Sequence, residues 1–184
     1  MEELFQTAEE LFRDDLLKDE KVLWMGQPET SVIFSRADFY LIPFSLVWCG
    51  FCLFWEIGAL RSSNIVVTLF GIPFLAIGAY LLFGRFIYKY WKKTHTYYAV
   101  TSERVLILTT LWRRHLQTKY ISAISEISKS IRSDGIGTLW FGPSGSNSGA
   151  ENTGLGSPLP VAPAFYDIMD ADKVHEMVSQ LLEP

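Results

Sequence analysis

Cysteine is scarce in this chain of 184 residues, and both copies lie within one apolar stretch. Cys49 and Cys52 form a Cys-Gly-Phe-Cys pattern there. A redox pair needs solvent access to form a thiolate, and a structural zinc site needs four ligands. An apolar stretch with no further cysteine in the chain supplies neither. We therefore interpret the two cysteines as small apolar residues on one face of a helix.

Motifs for catalysis or nucleotide binding are also missing from the sequence. The three histidines (His95, His115 and His175) are not at metal-ligand spacing. The serine-rich stretch 142–149 does not follow the Gly-x-Ser-x-Gly pattern of a nucleophile elbow, and no Walker or dinucleotide pattern occurs. The net charge of −4, without a DNA- or RNA-reading motif, argues against nucleic acid. We therefore expect a non-enzyme with no catalytic residues, cofactor or metal ion.

Charge is nearly absent from two long runs, Phe39–Leu60 and Ile65–Gly84. The first run contains only Glu56, and the second contains no charged residue. Each run reaches the roughly 20 residues that a helix needs to cross a hydrocarbon core of about 30 Å. The four residues Arg61–Asn64 between them allow only a turn. The sequence therefore predicts a transmembrane hairpin over residues 38–88, with these two runs as its helices.

Basic residues flank the outer ends of this hairpin. Arg36 precedes the first run, and the turn holds only Arg61. Four more follow the second run: Arg85, Lys89, Lys92 and Lys93. Because lysine and arginine in short loops stay in the cytoplasm, both termini are expected there. The long acidic segment before the first run, with no small-residue cleavage site after it, does not suit a secretory signal.

Glu56 is the one acid within a predicted span. It lies five residues before Arg61, near the outer end of its helix. We expect it to snorkel or to form an ion pair there, and we favour a structural role over proton or ion transport.

The remaining charge is unevenly distributed along the chain. Residues 1–21 contain eight acidic and three basic residues, and residues 85–132 contain ten basic and two acidic residues. Residues 1–19 are predicted to form an acidic amphipathic helix that docks on protein, with the basic block as a candidate surface, in this chain or a neighbour. The basic block is expected to face the anionic headgroups of the bilayer. Its candidate lipid- or partner-binding residues are Lys89, Lys92, Lys93, Trp112, Arg113 and Arg114.

After the hairpin the apolar period changes from helical to alternating. Strands are predicted from Thr96 onward as an antiparallel meander, with Asp134-Gly135 as a hairpin turn. The stretch Gly142–Pro163 is rich in Gly, Ser, Asn and Pro and is predicted to be a long loop. A final amphipathic helix is predicted from Asp170 through Leu182. Before the hairpin, Lys21–Met25 is a strand candidate.

Two sequence stretches carry a resemblance to a known family: Glu20-Lys21-Val22-Leu23-Trp24-Met25-Gly26-Gln27-Pro28 and Tyr98-Ala99-Val100-Thr101-Ser102-Glu103-Arg104-Val105. Together with Asp134-Gly135-Ile136-Gly137-Thr138 and the Phe165, Ile168 and Val174 ending, they resemble the bacterial membrane-flanked pleckstrin-homology-like (PH-like) family over roughly residues 20–182. The resemblance implies an α+β membrane protein: a transmembrane hairpin plus a PH-like antiparallel β-barrel or sandwich, capped by a C-terminal helix. The cytoplasmic PH-like domain would span 95–183, and the strand and linker 20–37 would join it.

The function implied by this resemblance is that of a non-catalytic binding or assembly module in the bacterial plasma (inner) membrane. Protein partners or self-association are expected in addition to the bilayer. The basic cluster that binds phosphoinositides in eukaryotic relatives cannot be carried over, because the hairpin separates the first strand from the others. Fold analogy alone assigns no ligand. The alternative is a small subunit of a transport or envelope-stress complex that acts through its spans.

Overall fold

The computed structural model describes residues 11–32, 34–35, 37–62, 64–142 and 163–182. Most of the predicted helix over 1–19, Arg36 and the interior of the predicted loop 142–163 lie outside these described residues. The described residues divide into two compact units. A helical unit comprises residues 34–90, and a β unit comprises residues 11–32, 91–142 and 163–182.

The helical unit contains the two predicted apolar helices. Helix α1 spans Asp38–Arg61, and helix α2 spans Ile65–Ala79 and begins where the side chain of Asn64 accepts a hydrogen bond from the backbone N–H of Val66. A π-helical segment at Tyr80–Gly84 connects α2 to helix α3, Arg85–Thr94, so that one helix continues over 30 residues.

Both long helices have the length and composition needed to cross a membrane. Only 11% of the most apolar window of each is buried. A core helix of a soluble protein would bury most of these side chains, so the exposure indicates an association with a membrane.

The β unit consists of two antiparallel sheets and a C-terminal helix, α4, at Ala171–Leu182. The first sheet has four strands in sequence order: β1 Val22–Gly26, β2 Thr96–Thr101, β3 Arg104–Thr109 and β4 His115–Tyr120. The second has three, also in sequence order: β5 Ile127–Ile131, β6 Gly137–Phe141 and β7 Ala164–Ile168. Within the described part of the chain no strand pairing joins the two sheets. The fold is α+β as predicted, but the strands do not close into a barrel.

Strand β1 precedes the helical hairpin in the sequence, yet it pairs with β2, which follows the hairpin. The register places Trp24 opposite Val100 and Met25 opposite Ala99. The β unit is therefore built from chain segments that precede and follow the apolar helices in the sequence.

The first sheet is covered on both faces, which explains why β2 and β3 are apolar without strict alternation. On one face Tyr98, Val100 and Val105 join a core with residues of the second sheet and of α4. On the other face Ala99, Leu106 and Leu108 pack with Phe12 of the N-terminal segment, which is fully buried. The predicted apolar face of the final helix is confirmed, with Val174 and Val178 fully buried.

The predicted turn at Asp134-Gly135 connects β5 and β6. Gly135 adopts a φ of +81°, in the region that side chains other than glycine rarely enter. Its N–H donates to the carbonyl of Arg132, and the Asp134 carboxylate accepts from the N–H of Ile136. The turn residues therefore have the conformational role that the sequence predicts.

Candidate lipid-contact site

The six predicted lipid- or partner-binding residues lie on two elements of the structure. Lys89, Lys92 and Lys93 belong to α3, and Trp112, Arg113 and Arg114 form the turn between β3 and β4. Burial and ion pairing distinguish these six residues from one another.

Lys93 is buried in the β unit, with 7% of its surface exposed. Its ammonium donates to the Asp167 carboxylate at 2.7 Å and to the carbonyls of Glu29 at 2.9 Å and Val32 at 2.5 Å. These three bonds use all the hydrogen-bond donors of a lysine. Lys93 therefore connects β7 and the segment after β1 to the last turn of α3. Because all its donors are used, it cannot bind a lipid headgroup, contrary to the prediction from the sequence.

Lys89 is also buried, in the helical unit. Its ammonium lies 3.0 Å from the Asp38 carboxylate at the start of α1, and Arg85 lies 3.1 Å from the other oxygen of Asp38. Ser35 completes this cluster, because its N–H and hydroxyl both donate to Asp38, at 2.6 Å and 2.8 Å. Since a buried charge needs such partners, Lys89 joins the two ends of the hairpin and does not present its charge at the surface.

Sequence reasoning missed Asp38 and Asp167, the partners of these two lysines. Asp38 could have been found, because it lies about as far from the hairpin turn as Arg85 does, and a helical hairpin brings such positions together. Asp167 lies more than 70 residues from Lys93 in a different kind of element, and no local pattern connects the two.

The exposed part of the candidate site is an aromatic and basic tip, consisting of Trp91, Trp112 and Arg113. Trp112 is 80% exposed and Trp91 is 46% exposed. Their rings meet edge to face with centroids 6.0 Å apart. Arg113 is exposed and forms no hydrogen bond or ion pair to a described residue. Lys92 is half-buried on α3, next to Trp91 in the sequence.

Arg114 is half-exposed and already partnered. Its guanidinium forms an ion pair with the Asp15 carboxylate and donates to the carbonyl of Leu11 at 2.6 Å. The acidic N-terminal segment thus neutralises part of the basic block in this chain. Among the six predicted residues, Arg113 is the exposed cation that forms no ion pair or hydrogen bond to a described residue.

A second ion pair anchors the N-terminal segment at the turn between β2 and β3. The Glu20 carboxylate accepts from Arg104 at 2.8 Å and 2.9 Å and from the Thr101 hydroxyl at 2.6 Å. The hydrogen bonds from Arg104 are the largest cause that lowers the pKa of Glu20 from 4.5 to about 2, and burial opposes them. The same contact raises the pKa of Arg104. The Thr-x-x-Arg spacing of this turn places Thr101 and Arg104 so that both side chains donate to the Glu20 carboxylate.

Comparison with known proteins adds no assignment. The chain matches no family model, no curated protein and no solved structure. An exposed pair of indole rings beside an unpaired guanidinium suits the interface between lipid headgroups and water, where tryptophan and arginine both concentrate.

Proposed function

We propose that this protein is a membrane-anchored PH-like module that contacts anionic lipid headgroups through the tip formed by Trp91, Trp112 and Arg113. The hairpin spans the plasma membrane of a bacterium with both termini in the cytoplasm. The β unit acts there as a non-catalytic binding or assembly module. The observation that carries the proposal is the exposure of two tryptophans and one unpaired arginine on neighbouring elements.

The arrangement of the β unit supports the PH-like assignment. Seven antiparallel strands divide into sheets of four and three, and a C-terminal amphipathic helix follows the last strand. The helix packs with Val174 and Val178 into the core that both sheets share. This is the order of elements expected of a PH-like sandwich.

The position of Trp91 in the chain supports the membrane assignment. It lies on α3, which continues the second apolar helix without interruption. A residue just beyond the end of a span is where an interfacial aromatic belt is expected. The basic flank of the same helix favours the cytoplasmic side for both termini.

A spin-label measurement on the full-length protein in anionic vesicles tests the headgroup contact. With Cys49 and Cys52 replaced by alanine, one label is placed at His115, beside the tip, and a matched control label at Asp134, on the exposed turn between β5 and β6. We expect the label at position 115 to collide more often with oxygen than with an aqueous nickel complex. The label at position 134 should show no such preference. Equal accessibility at both positions would refute the lipid contact.

Topology is tested separately with reporter fusions at Met1 and Pro184. Both fusions should be active only as cytoplasmic reporters, because the basic residues flank the outer ends of the hairpin. Activity of either fusion as a periplasmic reporter would overturn the orientation without bearing on the fold of the β unit.

A further inference from the structure

The N-terminal segment, residues 11–20, lies on the first sheet and reaches the aromatic and basic tip. Phe12 is fully buried on the face of that sheet opposite to the core shared with the second sheet. Asp15 forms an ion pair with Arg114, the residue that follows Arg113 of the tip in the sequence. The segment therefore contacts a cation directly beside the proposed lipid contact.

Three contacts hold this segment, and they differ in their exposure to water. Phe12 is fully buried, and the carboxylate of Glu20 is shielded by Arg104. In the ion pair between Asp15 and Arg114, 18% of the acidic side chain and 45% of the basic one are exposed. Because an exposed ion pair contributes little to stability, this contact can open while the other two persist.

Lipid headgroups can compete with Asp15 for the guanidinium of Arg114. An anionic bilayer surface attracts a nearby arginine about as strongly as an exposed carboxylate does. Arg114 thus has two alternative partners of comparable strength, the Asp15 carboxylate and a lipid phosphate. While the ion pair is closed, Asp15 also places a negative charge beside the tip, and an anionic surface repels that charge.

We propose, on the basis of the headgroup contact proposed above, that the N-terminal segment restrains that contact by holding Arg114 through Asp15. On an anionic bilayer Arg114 exchanges Asp15 for a lipid phosphate. The tip then gains a second guanidinium next to that of Arg113. The segment remains on the sheet through Phe12 and loosens around Asp15 alone.

Lipid contact and opening of the segment are thermodynamically linked in this arrangement. If headgroups and Asp15 compete for Arg114, each weakens the binding of the other by the same factor. One basic residue near an anionic surface corresponds to about a fivefold change in an equilibrium constant. Removing the charge of Asp15 should therefore favour the lipid-bound tip by up to about fivefold, and anionic lipid should favour the open segment by up to the same factor.

The spin label at position 115 of the full-length, cysteine-free protein measures the first effect. The vesicles contain phosphatidylcholine and enough phosphatidylglycerol to give half of the maximal change in the protein with Asp15 intact. Asp15→Asn removes the charge with little change in shape, and it should raise the ratio of oxygen to nickel collisions. In vesicles of phosphatidylcholine alone the ratio should not change. Asp14→Asn is the matched control, because Asp14 is exposed and forms no ion pair to a described residue, so its ratio should equal that of wild type.

Hydrogen exchange of the full-length protein in the same vesicles, followed by mass spectrometry, measures the reciprocal effect. The N–H groups of Asp15 and Leu16 both donate to the carbonyl of Phe12, so loosening of the segment exposes them. Phosphatidylglycerol should accelerate their exchange by up to about fivefold in the wild type. In Arg114→Gln it should have no effect, because the cation for which Asp15 and the headgroups compete is absent. Far-UV circular dichroism verifies that each variant is folded.

The outcomes separate this proposal from the headgroup contact on which it rests. If the label at 115 responds to phosphatidylglycerol but Asp15→Asn behaves as wild type, the restraint is refuted and the headgroup contact stands. An equal rise for Asp14→Asn and Asp15→Asn would also refute it, since the general charge of the segment would then act in place of the ion pair. Exchange at Asp15 and Leu16 that does not depend on phosphatidylglycerol would exclude the competition. A label at 115 that never prefers oxygen would refute the headgroup contact and the restraint together.

Discussion

The ion pair between Glu20 and Arg104 should make the stability of the β unit depend on acid. The pKa of Glu20 is about 2 in the folded protein and 4.5 as its ordinary value. A shift of one unit corresponds to about 1.4 kcal/mol, so the ionised carboxylate contributes about 3 kcal/mol to folding. The carboxylate of Glu20 is shielded by Arg104 while the residue as a whole is half-buried, so solvent screening reduces this contribution and about 3 kcal/mol is its upper bound.

The sign of the pH effect follows from the lowered pKa. Above about pH 4.5 the carboxylate is ionised in both the folded and the unfolded chain, and the contribution is complete. As the pH falls from about 4.5 to about 2, the Glu20 carboxylate becomes protonated in the unfolded chain before it does in the folded one. The contribution of the ionised carboxylate to folding is therefore lost over this range. Glu20→Gln should therefore be less stable than wild type by up to about 3 kcal/mol at pH 7, and the difference should shrink towards zero near pH 2.

Urea unfolding of the full-length protein in nonionic detergent, followed by far-UV circular dichroism at several pH values, measures this difference. The matched control is Asp172→Asn, which removes an ion pair with Lys129 whose two side chains are 68% and 42% exposed. Its cost should stay below about 1 kcal/mol at every pH, as for other exposed pairs. If Glu20→Gln and wild type differ by the same amount at pH 7 and pH 2, the assignment of the acid dependence to this pair is wrong.

Four further substitutions test other contacts. Gly135→Val should lower the stability of the β unit by about 1 kcal/mol or more, because valine is strained at a φ of +81°; an unchanged melting temperature would contradict the turn. Lys93→Met should destabilise it by about 3–5 kcal/mol, since Asp167 would be left buried without its counter-charge; urea unfolding measures the loss, and a change below 1 kcal/mol would show that the pair carries little energy. Arg113→Gln should leave membrane insertion and stability unchanged but increase the mobility of a spin label on the β unit at low salt. Arg114→Gln should instead loosen the N-terminal segment, measured by hydrogen exchange near Asp15; a reversed pattern would contradict their assigned partners.

The elements that sequence reasoning predicted are those with a local pattern. The two apolar helices follow from composition over about 20 residues, and the turn at Gly135 follows from two adjacent residues. The strands after the hairpin and the final helix also have periods that can be recognised without tertiary contacts.

The parts that sequence reasoning did not predict depend on distant partners. Lys89 and Lys93 resemble surface lysines beside a span, and only the folded chain brings Asp38 and Asp167 to them. Whether two sheets close into one barrel depends on pairing between strand edges, which composition does not encode. The burial of Glu56 against Gly71 likewise depends on how two helices face one another.

The pairing of β1 with β2 has a consequence for the order of events during synthesis. Val22 cannot pair until Thr101, 79 residues later in the chain, has been synthesised, so the edge of the first sheet forms only then. At about 5–20 residues per second, the ribosome needs roughly 4–16 s to make that stretch. During this interval the two apolar helices leave the ribosome, so they emerge before the β unit can be completed. A nascent chain arrested within the hairpin would keep β1 as an unpaired strand, exposed to quality-control proteases. Because β2 is synthesised after both apolar helices, a β unit can fold only in chains whose synthesis has passed those helices.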